Sequence, residues 1–126
     1  MLPTIGSVLI IEDGILVSLD LEDLFEDLGV RNIHAATSYR SAVKMLQTMT
    51  PQLVTLDVDL GDASCAELVP ILRDRNIPHI VISGVSRGYL PAGLENSIFV
   101  QKPFTKDRLF DAITEATSKE DLAWAV

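Results

Sequence analysis

The sequence predicts one α/β domain built on a doubly wound, five-stranded parallel sheet in the order 2-1-3-4-5. Three observations predict it. Short apolar, β-branched runs alternate with segments of helical periodicity, the pattern of strand–helix–strand units. Those runs are apolar almost throughout, as strands covered on both faces are. The chain has 126 residues, enough for one domain with a real core. Right-handed crossovers leave few topologies at this length, and 2-1-3-4-5 fits.

The elements follow in order. Ser7-Val-Leu-Ile-Ile11 reads as a buried strand. Val17, Leu21, Leu24, Phe25 and Leu28 recur at spacings of three and four, which predicts a helix, with Gly29 as its C′ residue. Asn32 to Ala36 is a weak second strand. Thr37-Ser38 can cap a helix with Ala42, Met45, Leu46 and Met49 inward, and Thr50-Pro51 stops it. Leu53 to Leu56 is a third strand ending at Asp57. A loop through Gly61 follows, and Ser64-Cys-Ala-Glu67 matches a capping box for a helix through Leu68, Ile71 and Leu72. Pro70 lies beyond the first turn of that helix and should bend it. His79 to Ile82, ending at Ser83, and Ser97 to Gln101, followed by Lys102-Pro103, are strands four and five. Thr105 can cap a last helix that buries Leu109, Ala112, Ile113 and Ala116.

Residues 84–96 stand where a fourth helix belongs, yet they carry Gly84, Gly88, Pro91 and Gly93. A glycine costs a helix interior about 1 kcal/mol and a proline about 3 kcal/mol, so this helix should be irregular, short or displaced. The domain is expected to span 5–118. Residues 119–126 form a C-terminal tail, either an extension of the last helix or a loose end.

Composition excludes several classes. A 48% hydrophobic and 22% charged chain is not disordered. The single cysteine, Cys65, cannot form an internal disulfide. No apolar run reaches a membrane span, and no basic leader precedes Glu12-Asp13, so a cytoplasmic protein without membrane partners is expected. The net charge of −8 argues against nucleic acid as a partner. Residues 1–30 hold seven of the 18 acids and no Lys or Arg. Those from Asp20 to Asp27 read as a solvated helix face. Glu12-Asp13 follows an apolar run directly and is harder to dismiss.

Open α/β sheets bind ligands beyond the carboxyl ends of their strands, where strand order reverses. In the 2-1-3-4-5 order, that place collects Glu12-Asp13, Asp57 with Asp59, Ser83 and Lys102. Crowded carboxylates need a cation, and hard oxygens favour Mg²⁺. One carboxylate can then attack phosphorus to give an acyl phosphate, with the ammonium and hydroxyl holding the migrating group. Taken singly, each feature has a plain alternative. Glu12-Asp13 could mark a helix N-terminus, and Asp57 an Asx turn. Ser83 could be a strand-end hydroxyl, and Lys102 a solvated lysine. His34, His79 and Cys65 have no matching partners and read as structural, as does Trp124, a packing or contact residue.

The runs Val8-Leu-Ile-Ile-Glu-Asp13, Pro51-Gln-Leu-Val-Thr-Leu-Asp-Val-Asp-Leu-Gly61, Ile80-Val-Ile-Ser-Gly84 and Phe99-Val-Gln-Lys-Pro-Phe104 resemble the bacterial response-regulator receiver domain of stand-alone type, a flavodoxin-like fold. The resemblance runs from about Ser7 to Thr117. It implies that Asp57 is the phosphoacceptor of a two-component system. It implies that Glu12, Asp13, Asp57 and the backbone carbonyl of Asp59 hold Mg²⁺. Lys102 matches the family's invariant lysine, Ser83 its conserved hydroxyl, and Phe99 the aromatic that swings inward on activation. The Lys102-Pro103 bond would be cis. The donor would be a histidine kinase or phosphotransfer protein, and the output a downstream protein target. Such a domain phosphorylates and dephosphorylates itself rather than turning over a substrate.

Gly61 replaces the family's usual proline, Asp59 is acidic where many members are neutral, and Ser83 stands where threonine is commoner. The Ser-Gly pair and the glycine-rich segment are similar to a subgroup with an irregular fourth helix, many served by HWE-type kinases. One alternative is a degenerate receiver that binds partners without phosphate. Another is an aspartyl-phosphate phosphatase, since Asp57-Val-Asp59 matches the DxD of haloacid-dehalogenase-type enzymes. There the DxD opens the chain, whereas here the acidic pair comes first. A flavin carrier would need a phosphate loop after strand one, where Glu12-Asp13 would repel the phosphate.

Overall fold

The computed structural model describes residues 5–58 and 60–125, and for 87 and 119–125 the backbone alone. Strands β1 (Ser7–Ile11), β2 (Asn32–Ala36), β3 (Leu53–Asp57), β4 (His79–Ser83) and β5 (Ile98–Gln101) form one parallel sheet. Its order is β2-β1-β3-β4-β5, as the sequence predicts.

Alternation along the strands sorts the core into two layers. Val8, Ile10, Leu53, Ile80, Ile82 and Val100 pack with Leu21 and Phe25 of α1 (Ile15–Asp27) and with Leu109, Ala112 and Ile113 of α4 (Lys106–Ala125). Leu9, Ile11, Val54, Leu56, Val81 and Phe99 face the other way. They meet Ala42 and Leu46 of α2 (Tyr39–Leu46), and Leu68, Val69 and Leu72 in and before α3 (Val69–Asp74). Each large side chain so buried contributes roughly 1.5–3 kcal/mol.

The helix ends explain themselves locally. Gly29 takes φ 86°. The Gly29 N–H then donates to the Glu26 carbonyl at 3.0 Å and the Val30 N–H to that of Phe25 at 3.1 Å. Those two bonds are a Schellman closure of α1. Ser38, rather than Thr37, caps α2, in a reciprocal capping box with Ser41. Because α2 ends at Leu46, Met49 falls outside it. The Thr105 hydroxyl accepts from the Arg108 N–H at 3.1 Å and opens α4. The backbone of α4 runs on to Ala125, so 119–125 extends the last helix.

Two expectations need correction. Ser64 caps through the Ala66 N–H, and what it opens is a 3₁₀ turn, Cys65–Leu68. The α-helix starts only at Val69, so Pro70 sits in its first turn. An N–H there has no intrahelical acceptor to lose, which removes the misfit. β5 begins at Ile98, because the Ser97 N–H turns back to the Leu94 carbonyl at 3.1 Å. The fourth helix is short and irregular, as expected: the β4–β5 connection carries a single 3₁₀ turn, Arg87–Tyr89. Leu94, fully buried, anchors that connection to the core.

Candidate functional site

Register builds the site. Ile11 pairs with Leu56, Leu56 with Val81 and Asp57 with Ile82. Glu12, Asp57 and Ser83 therefore leave the sheet at the same end. Lys102 follows β5 directly, and its N–H donates to the Ser83 carbonyl at 2.8 Å, tying the two strand ends. The Lys102–Pro103 peptide bond is cis.

The side chains converge. Glu12, Asp13 and Asp57 each offer a carboxylate oxygen, and the three oxygens lie within 4.8 Å of one another. Glu12 is buried at 3% exposure and Asp57 nearly so at 9%, while Asp13 is exposed. The Lys102 ammonium lies 2.8 Å from Glu12 Oε1 and 3.6 Å from Asp57 Oδ1. Glu12 Oε2 accepts from the Gly14 N–H at 3.0 Å, which turns the chain into α1. Ser83 is buried, and its hydroxyl accepts from the Val85 N–H at 3.2 Å.

Burial and the neighbouring acids together favour the protonated form of Asp57. Burial, then hydrogen bonding to Glu12 and Asp13, pushes the Asp57 carboxyl up to about 8, and Lys102 only partly offsets this. Three acids in one pocket with a single ammonium hold an excess of negative charge. All-oxygen carboxylate donors this close suit a hard divalent cation, and Mg²⁺ fits them. The carbonyl expected from Asp59 lies outside the described residues.

Phe99 is buried in the layer of Val81 and Leu94, at 7% exposure. Cys65 is buried, and burial with the Asp57 charge pushes its thiol up to about 12, so it is no thiolate at neutral pH. His79 is held neutral near 4 by burial and by Arg73, with Nε2 2.9 Å from the Ser97 hydroxyl. His34 is exposed on the edge strand β2.

Two contacts near the site escaped the sequence reading. Asp62 reaches from the loop after β3 to the N-terminus of α2. Arg108 donates to the Phe99 carbonyl at 2.7 Å, covering the edge strand β5. An acid placed one residue after a turn glycine was the available signal for the first. Nothing in the sequence marks the second.

The model of the response regulator receiver domain matches residues 8–114. Phyllosphere-induced regulator PhyR of Methylorubrum extorquens is 31% identical over 86% of the chain, and the match spans 42% of that protein. Chemotaxis protein CheY of Thermotoga maritima is 25% identical over 87% of the chain and 96% of its own length. The crystal structure of anti-anti-sigma factor PhyR from Bartonella quintana superposes with a TM-score of 0.84 at 30% identity, covering 98% of this chain and 51% of that one. The chain thus spans about half the length of its PhyR relatives. On this match, the fold and the cluster at the strand ends, the chain belongs to the response regulator receiver domain family.

Proposed function

We propose that this receiver accepts a phosphoryl group on Asp57 from a phosphohistidine of a histidine kinase or phosphotransfer protein. The observation that carries the reading is the meeting of Glu12, Asp13 and Asp57 with the Lys102 ammonium at the sheet's carboxyl end. An Asp57 carboxylate oxygen attacks phosphorus, the P–N bond of the donor breaks, and its electron pair stays on the donor imidazole. Glu12, Asp13 and Asp57 would hold Mg²⁺, with the Asp59 carbonyl expected to join them. Bound there, the ion neutralises charge on the acids and on the phosphoryl oxygens. Lys102, already within 3.6 Å of Asp57, supplies a second positive charge to the transferring group. Ser83 would donate its hydroxyl to the acyl phosphate. Phe99 and the β4–β5 connection would then take a second arrangement.

The surroundings support protein partners. Ile15, Leu16 and Leu19 of α1 are exposed beside the site, among solvated acids. Val85 and Tyr89 are exposed on the β4–β5 connection, where a downstream protein target would bind. The B. quintana relative is named an anti-anti-sigma factor, but the match spans half of it. Only the receiver chemistry is carried over to this chain. No helix among the described residues is long and apolar enough to cross a membrane, and we place the protein's action in the cytoplasm.

The test is incubation with acetyl phosphate, with and without Mg²⁺, followed by intact mass. One phosphoryl adduct that needs Mg²⁺ and disappears in Asp57→Asn is expected. No adduct points to the degenerate receiver. Sustained release of phosphate from simple phosphomonoesters points to the phosphatase.

A further inference from the structure

Asp62 lies five residues beyond Asp57, on the loop that leaves β3. Its carboxylate spans to α2, with Oδ1 accepting from the Tyr39 N–H at 2.9 Å and Oδ2 from the Arg40 N–H at 3.1 Å. These are the first two N–H groups of α2. The third, on Ser41, already donates to the Ser38 hydroxyl at 3.0 Å, and the Ser38 N–H donates back to the Ser41 hydroxyl at 3.2 Å. The capping box is therefore complete without Asp62. Asp62 adds a two-pronged link between segments 22 and 23 residues apart.

The loop is shaped for that link. Gly61 takes φ 83°, a left-handed turn that brings the next residue round to α2. Leu60 is buried, and its N–H donates to the Ala63 carbonyl at 3.3 Å. The Cys65 N–H donates to the Val58 carbonyl at 3.2 Å. The two bonds from α2 also hold the Asp62 carboxyl below its ordinary range, so it is charged at neutral pH.

We propose that Asp62 is a positioning residue: by clamping the loop 58–63 to α2, it sets how tightly the acids at the strand ends hold a divalent cation. The idea rests on the Mg²⁺ reading above. Ligands and loops fixed before binding cost less order when the ion arrives.

The test titrates Mg²⁺ alone into the full chain by calorimetry, for wild type, Asp62→Ala, Asp62→Asn and Ser38→Ala. Hydrogen exchange of 58–63 is read in parallel. Ser38→Ala weakens the same helix end without touching the loop, so it should bind Mg²⁺ as wild type does. Asp62→Ala, which loses that preorganisation, should bind on the order of 10-fold more weakly and exchange faster at 58–63. Asp62→Asn, which keeps one acceptor oxygen, should regain part of the loss. Wild-type affinity in Asp62→Ala, or an equal loss in Ser38→Ala, overturns the clamp. A wild type that binds Mg²⁺ but takes no phosphoryl group defeats the proposed function and leaves the clamp to be decided by the affinities. A wild type that binds no Mg²⁺ defeats both.

Discussion

The Lys102 ammonium donates to Glu12 Oε1 at 2.8 Å across 90 residues of chain, closer than its 3.6 Å approach to Asp57. Its resting partner is therefore the more buried of the two acids. This pair joins the last strand to the first over the two strands between them.

Removing the ammonium strands a buried carboxylate. Lys102 is itself 23% exposed, so the loss should fall below that of a fully buried pair. Lys102→Ala is expected to cost about 1.5–3 kcal/mol in urea unfolding without metal, the range for a charged hydrogen bond. Glu12→Gln in the Lys102→Ala background should recover part of this, since the neutral amide leaves no unpaired charge. Strictly additive losses would show that the pair is not coupled.

Stability without metal should stay nearly level from about pH 4 to about 6.5, where Asp57 and His79 oppose each other, and fall from about 6.5 to about 8. The folded state holds a proton on Asp57 up to about 8, while the unfolded chain releases it near 3.8. Over that window the native state binds more protons at Asp57, so its contribution to stability drops with pH. His79 acts in the opposite sense. It is held near 4 against an ordinary 6.5, so its contribution to stability drops as pH falls through that range and offsets that of Asp57. Asp57→Asn should remove the alkaline decline and expose the acid one set by His79, as should saturating Mg²⁺ on the wild type. Thermal melts across pH check this, and an unchanged alkaline slope in Asp57→Asn would refute the assignment.

Thr55 lies at the middle of the central strand, 1% exposed, and its hydroxyl has no hydrogen-bond partner among the described residues. A buried, unsatisfied hydroxyl costs about 1–3 kcal/mol. Thr55→Val keeps the branched shape and removes that cost. It should raise stability by roughly 1 kcal/mol with metal affinity unchanged. A destabilised variant would show that the hydroxyl is satisfied.

Much of this was legible in the sequence because it depends on local pattern. Apolar, largely β-branched runs marked four strands and Asn32 to Ala36 a weak fifth, and the strand-end rule gathered Glu12, Asp13, Asp57, Ser83 and Lys102 at one end of the sheet. What pattern could not show was geometry between distant segments. Pro70 looked misplaced because a 3₁₀ turn and an α-helix share one apolar periodicity over so few residues. Asp62 looked like loop polarity because its partners lie on another helix. Arg108 carried no signal because its acceptor, the Phe99 carbonyl, is open to it only through β5 being an edge strand.

The central claim is that Asp57 carries the phosphoryl group, and an acyl phosphate can be trapped chemically. Borohydride reduces an aspartyl phosphate to homoserine, so peptide mass spectrometry after Mg²⁺ and acetyl phosphate reads the acceptor directly. The account predicts homoserine at position 57 alone, and only when Mg²⁺ is present. Unmodified Asp57, or homoserine at Glu12's neighbour Asp13 instead, would contradict it.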